Sequence, residues 1–207
     1  MATFLEPLVL KPGQAGVVLH IPDQLKLSED EFFDLCAVNR DLRIERTAHG
    51  DLIIMPPTAL DTGDSNCGVS SQLWVWAKRD GTGRAFDSST GFTLPNGAVR
   101  SPDASWILNT RLRALEKSEW ERFAHICPDF VIELKSRSDA LSFVQAKMQE
   151  YIDNGARLGW LIHPKKRQVH VYRPNLPVEI LENVTSVSAE PELPGFTLDL
   201  TDIFSEL

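Results

Sequence analysis

The run Cys127-Pro128-Asp129-Phe130-Val131-Ile132-Glu133-Leu134-Lys135 constrains this chain more than any other stretch. Side chains alternate across a strand, so Phe130, Ile132 and Leu134 share one face, and Asp129, Val131, Glu133 and Lys135 share the other. The first face is apolar and suits a core. The second sets a carboxylate and an ammonium beside that core, where unpaired charge is costly. The apolar set implies a central, buried strand, and the charged pair next to it needs partners or a task.

A chain of 207 residues favours one domain. We expect an N-terminal extension over residues 1–27, a core over about 28–175 and a tail over 176–207. Apolar residues make up 43% and charged residues 24%, a usual balance for a globular protein. No apolar run reaches the roughly 18 residues that a membrane span needs. Met1 to Leu10 carries Glu6 and no basic cluster, unlike a signal peptide. Cys36, Cys67 and Cys127 are too widely spaced for a disulfide framework or a zinc knuckle, so a cytoplasmic setting is expected. The net charge of −8 argues against nucleic acid at first sight, but it is uneven. Residues 100–175 carry a net +4 and the remainder −12, so the stretch around Glu133 is the basic part of an acidic protein. That suits a local phosphate-facing groove.

Val17 to Ile21 reads as a short strand. Ser28 and Glu31 have the spacing of a capping box at a helix start. Leu42 to Thr47 and Asp51 to Met55 read as a hairpin turning at His49-Gly50. Helical spacing predicts a helix over 65–78 and another over 138–154. Asn96-Gly97 marks a tight turn, followed by a strand-like run from Ala98 to Leu108. Leu158 to His163 and Gln168 to Tyr172 read as a hairpin. The order of elements gives an α/β (mixed α+β) fold, with a mixed, twisted sheet flanked by helices.

Two carboxylates that bind one Mg²⁺ must bring oxygens within about 3 Å of each other. Asp129 and Glu133 are four residues apart on one strand, about 13 Å, so they do not share a metal. The partner should come from a neighbouring strand, and Asp103, after Ser101-Pro102, fits. An Asp followed by Glu-x-Lys is the pattern of metal-dependent nucleases. On that reading Asp103 and Glu133 bind the metal, with the Leu134 carbonyl as a third protein ligand. Lys135 orients water or stabilises transition-state charge, as base or as electrostatic group. Gln145 falls on the apolar stripe of the following helix and must find a partner or line a polar pocket. Lys147 lies on that stripe's flank, and Glu45 in the first hairpin is an additional candidate acid.

Together these motifs resemble the Uma-two family of restriction-endonuclease-like proteins, in the PD-(D/E)XK superfamily. The resemblance runs through Ile44-Glu45, Ser101-Pro102-Asp103, Pro128 to Ser138, Lys147 to Tyr151, Leu158 to Pro164 and Leu193-Pro194-Gly195-Phe196. It departs at Asp61 to Asn66, where many relatives carry a histidine. The resemblance implies a restriction-endonuclease-like core and Mg²⁺- or Mn²⁺-dependent hydrolysis of DNA, with Asp103, Glu133 and Lys135 as the central set and Glu45 and Lys147 as accessories. A homodimer is expected, because cutting two strands is simplest with two sites. The rival reading is a non-catalytic nucleic-acid-binding or interaction module on the same fold.

Overall fold

Ser28 opens the first helix as its spacing to Glu31 allows: its hydroxyl accepts from the Glu31 N–H at 3.3 Å, and the Glu31 carboxylate accepts from the Ser28 N–H at 2.8 Å. In the computed structural model, residues 16–205 are described, and the Met1–Leu10 segment lies outside them. The chain runs through β1 (Val17–Leu19), α1 (Glu29–Val38), β2 (Arg43–Arg46), β3 (Leu52–Met55), α2 (Leu60–Asp80), β4 (Gly83–Asp87), β5 (Phe92–Thr93) and β6 (Val99–Arg100). It continues through β7 (Ala104–Leu108), α3 (Asn109–Leu112), β8 (Ala124–His125), β9 (Phe130–Leu134), α4 (Leu141–Asp153), β10 (Leu158–His163) and β11 (Gln168–Tyr172). The last strands are β12 (Glu179–Glu182), β13 (Ser186–Ser188) and β14 (Thr197–Asp199).

The strands form two larger sheets and one small hairpin. The first sheet has the order β1-β3-β2-β6-β5-β8, and the second β12-β11-β10-β9-β7-β4. Both are mixed: β9 pairs in parallel with β10 and antiparallel with β7, and β5 pairs in parallel with β8. The fold is thus α/β, with mixed sheets flanked by helices.

The alternation in β9 decides how the second sheet is covered. Phe130, Ile132 and Leu134 pack with Val69, Leu73 and Ala77 of α2 and with Phe196, Leu198 and Phe204 of the C-terminal segment. Val131 faces the other way and packs with Val144, Met148 and Tyr151 of α4. All five β9 residues are buried, Glu133 among them. A strand covered on both faces is the central strand that the sequence implies.

Three boundaries differ from the sequence reading. Helix α2 starts at Leu60 instead of residue 65, because its first two turns are mostly exposed and show no apolar stripe; Leu60 itself is 94% exposed. Helix α4 starts at Leu141, because residues 136–139 close a turn in which Asp139 Oδ2 accepts from the Ser136 N–H at 2.7 Å. The run 98–108 divides into β6 and β7, which belong to different sheets, with Ser101-Pro102-Asp103 as the step between them. Proline at 102 brings no N–H to a ladder, so a break there costs no donor.

Candidate active site

β7 and β9 run antiparallel with Ala104 opposite Ile132, and continuing that register by one residue sets Asp103 opposite Glu133. Opposed residues on paired strands lie about 5 Å apart at Cα. The Leu134 N–H donates to Asp103 Oδ2 at 2.8 Å, which fixes the carboxylate against the end of β9. Asp103 Oδ1 lies 3.6 Å from an Arg43 guanidinium nitrogen. Asp129, set aside above as a ligand, caps the other end of this pairing: it accepts from the Leu108 N–H at 3.0 Å and pairs with Arg111 at 3.1 Å.

Helix α4 crosses the Glu133 face of the sheet and brings Lys147 and Tyr151, one helical turn apart, onto one carboxylate. Glu133 Oε1 is ion-paired with Lys147 Nζ at 2.8 Å and accepts from the Tyr151 hydroxyl at 3.0 Å. Lys147 Nζ also donates to Glu45 Oε1, again at 2.8 Å. Glu45 comes from β2 in the other sheet. Its carboxylate is held further by the Ser101 N–H at 3.0 Å and by Arg100 at 3.2 Å. Arg100 pairs in turn with Glu150 at 2.6 Å. The result is a chain of alternating charges, Glu133–Lys147–Glu45–Arg100–Glu150, that runs from one sheet to the other. Glu45 is 1% exposed, Glu133 6% and Lys147 7%.

Burial would raise the Glu45 carboxyl, but the Lys147 and Arg100 charges and their hydrogen bonds override it and hold it at about 2. For Glu133 burial wins: against the opposing pull of Lys147, and with the charges of Asp103 and Glu45 adding, its carboxyl is pushed up to about 7. Burial also raises Asp103, opposed by Arg43, the Leu134 N–H and Lys147 and reinforced by Asp139. Burial disfavours the Lys147 ammonium, yet the two glutamates hold its pKa above the ordinary lysine value.

Asp103, Glu133, Glu45, Lys147 and Leu134 line one cavity of about 380 Å³, together with Arg43, Asn66, Arg137 and Asp139. The rest of its wall mixes apolar residues such as Met55, Pro57 and Phe143 with polar ones such as Thr58, Thr62 and Ser138. Across the cavity, Arg137 and Asp61 form an ion pair at 3.1 Å.

Two residues named from the sequence stand elsewhere. Lys135 lies one position past the end of β9, and its N–H still donates to the Ile162 carbonyl at 2.9 Å; its ammonium donates to the Ser136 carbonyl at 2.9 Å, and it does not line the cavity. Gln145 is half-buried on α4 and is likewise outside the lining. Conversely, Arg43, Arg100 and Tyr151 were not singled out from the sequence. Signals point to two of them: Arg43 shares a strand face with Glu45 at i, i+2, and Tyr151 shares a helix face with Lys147 at i, i+4.

A hard divalent cation fits this donor set. Mg²⁺ keeps several waters and is usually held by one or two carboxylates together with substrate phosphate, without an all-protein cage. Asp103 and Glu133 meet that description, and among the described residues no three His, Cys, Asp or Glu side chains form a ready-made cage. Among the described residues Glu133 Oε2 has no hydrogen-bond donor, and Asp139 Oδ1, in the same cavity, is buried without one. Carboxylate oxygens with too few donors, set around one cavity, are what a cation relieves.

The chain is similar to known proteins in fold and in sequence. A crystal structure from Anabaena variabilis, described as a putative nuclease, superposes with a TM-score of 0.69 at 22% identity, covering 86% of this chain and 97% of that one. A comparison with curated proteins finds no match. The model of the Uma2 family, described as "Putative restriction endonuclease", matches residues 29–201, which include every cavity residue named above. With most of its length matched, this chain belongs to the Uma2 family.

Proposed function

We propose that the protein is a metal-dependent endonuclease that hydrolyses DNA phosphodiester bonds in the Asp103–Glu133 cavity. The observation that carries this reading is the meeting of those two buried carboxylates, from adjacent antiparallel strands, beside a lysine that is itself buried. Asp103, Glu133 and the Leu134 carbonyl would hold Mg²⁺ or Mn²⁺. The chemistry such a cation supplies when bound is charge neutralisation at phosphorus and a more acidic water. In hydrolysis a water oxygen bonds to phosphorus and loses a proton, while one P–O ester bond breaks and its oxygen gains a proton. The protein's own contribution is positional. The Leu134 N–H aims Asp103, and Tyr151 and Lys147 fix Glu133 Oε1. Lys147 donates to Glu45 and is ion-paired with Glu133, which fixes its charge between the two carboxylates. Because its pKa is raised, Lys147 remains an ammonium at neutral pH, which suits an electrostatic role and not that of a base. Lys147 thereby takes the part that the Glu-x-Lys spacing suggests for Lys135. Two copies paired about a two-fold axis would let such sites cut both strands of a duplex.

The test is plasmid nicking with Mg²⁺, Mn²⁺ or EDTA, beside Asp103→Ala, Glu133→Ala and Lys147→Ala. Cleavage that needs the cation and vanishes in all three variants is expected. Cleavage that survives Asp103→Ala would remove the proposed site, and salt-dependent DNA binding without cleavage would favour a binding module.

A further inference from the structure

We propose that Arg43 is the phosphate-binding residue of this cavity, holding a non-bridging oxygen of the scissile phosphodiester next to Asp103. This rests on the nuclease reading above and adds to it the group that receives the substrate's charge. Arg43 lies on β2, two residues before Glu45, and lines the cavity that holds Asp103 and Glu133. One end of its guanidinium is anchored: a terminal nitrogen donates to the Ser101 carbonyl at 2.7 Å. The same nitrogen is 3.6 Å from Asp103 Oδ1, too long for a hydrogen bond. Arg43 Nε is buried and has no hydrogen-bond partner among the described residues. Nη1 has no hydrogen-bond partner among the described residues either, and with the side chain 29% exposed it is the donor that an oxygen entering the cavity can reach.

The other cations near the cavity are already engaged. Lys147 is divided between Glu45 and Glu133, Arg137 is paired with Asp61, and the Lys135 ammonium is on the Ser136 carbonyl. A guanidinium presents several donors in one plane, the geometry that matches phosphate oxygens. Its position beside Asp103 sets the anion it binds next to the proposed metal ligand, where charge builds on phosphorus during hydrolysis.

The test uses the full chain with inorganic phosphate as probe, followed by ³¹P line broadening in EDTA, and with oligonucleotide cleavage in Mg²⁺. Arg43→Gln is expected to weaken phosphate binding by at least about tenfold and to slow cleavage by about a hundredfold, with a thermal midpoint lowered by no more than loss of the Ser101 bond allows. Arg84→Gln, which removes an exposed charge away from the cavity, should alter neither. Free guanidinium should restore part of the cleavage lost in Arg43→Ala, an effect that a purely structural role does not produce. Arg43→Lys retains the charge without the fork and should recover only part of the phosphate affinity. If phosphate does not bind the wild type, or binds Arg43→Gln as well as wild type, the assignment is overturned. If phosphate binding depends on Arg43 while no nucleic acid is cleaved, the phosphate site stands and the nuclease reading fails.

Discussion

Glu45 and Glu133 belong to different sheets and share one cation, the Lys147 ammonium, at 2.8 Å each. Removing that cation leaves two buried carboxylates facing each other. Lys147→Met keeps the length of the side chain and removes the charge, so it should cost about 3–5 kcal/mol of stability and abolish cleavage. Urea unfolding with a nicking assay reads both. Loss of cleavage without loss of stability would show that the ammonium does not hold the two sheets together.

The same pairing makes acid sensitivity specific. Glu45 is held at about 2 against an ordinary 4.5, so its folded pKa is depressed. Its contribution is fully present above pH 4.5 and is lost as pH falls towards 2, and amounts to about 3 kcal/mol. Wild type should therefore lose more stability than Glu45→Gln over that window, measured as the difference in urea midpoints. Parallel pH dependences would refute the assignment.

Asp103→Asn should separate stability from activity. The Asp103 carboxyl is raised in the fold, so its contribution is fully present below pH 3.8 and is lost as pH rises through the folded value. At neutral pH the charge is thus a burden, and an amide that still accepts from the Leu134 N–H removes it. Thermal stability should be unchanged or higher while Mg²⁺-dependent cleavage disappears. A clear fall in the melting temperature would contradict this.

Tyr151→Phe deletes one donor to Glu133 and leaves the ring packed in α4's core face. The expected cost is about 1 kcal/mol, with cleavage reduced by about tenfold through a less well-held carboxylate. Oligonucleotide KM should barely move; a change confined to KM would assign Tyr151 to substrate binding instead.

Two glycines in the second sheet test the packing that supports the site. A Cβ at Gly83 would run into the Trp106 ring and the Ile107 carbonyl, neither of which can yield, while one at Gly159 would meet only the flexible end of Met148. Gly83→Ala should cost about 3 kcal/mol or more, and Gly159→Ala about 1 kcal/mol. Equal losses by calorimetry would show that the Trp106 layer is softer than its burial suggests.

Much of this architecture is written in local pattern. Ser28 with Glu31, the His49-Gly50 hairpin and the two faces of β9 all follow from spacing, because neighbours along the chain settle them. The division of residues 98–108 does not, since whether Ala104 continues the ladder of Val99 or starts another depends on which sheet lies nearby. The site follows the same rule. Alternation and the distance along a strand bring forward Asp103 and Glu133; Glu45 and Lys147 enter as accessory candidates from their places in the first hairpin and on the helix flank, and family resemblance adds to them. Alternation cannot foresee that the Lys135 ammonium is taken up by the carbonyl of the next residue, Ser136. Tyr151 reads as a core residue in the sequence because its ring is one; only its hydroxyl belongs to the site. Arg43 has no motif around it, and its significance rests on an unpaired nitrogen that only the fold reveals.

The break between β6 and β7 also has a mechanical side. Residues 101–103 are the short step by which the chain leaves one sheet for the other, and the step begins with Ser101, whose N–H binds Glu45, and ends with Asp103. One sheet carries Glu45 and the other Glu133, with Asp103 at the edge of the second. The gap between the carboxylates is therefore set by how far the sheets stand apart, and not by the conformation of any one loop. Substitutions far from the cavity that wedge or close that seam would act on the site as a caliper screw acts on its jaws.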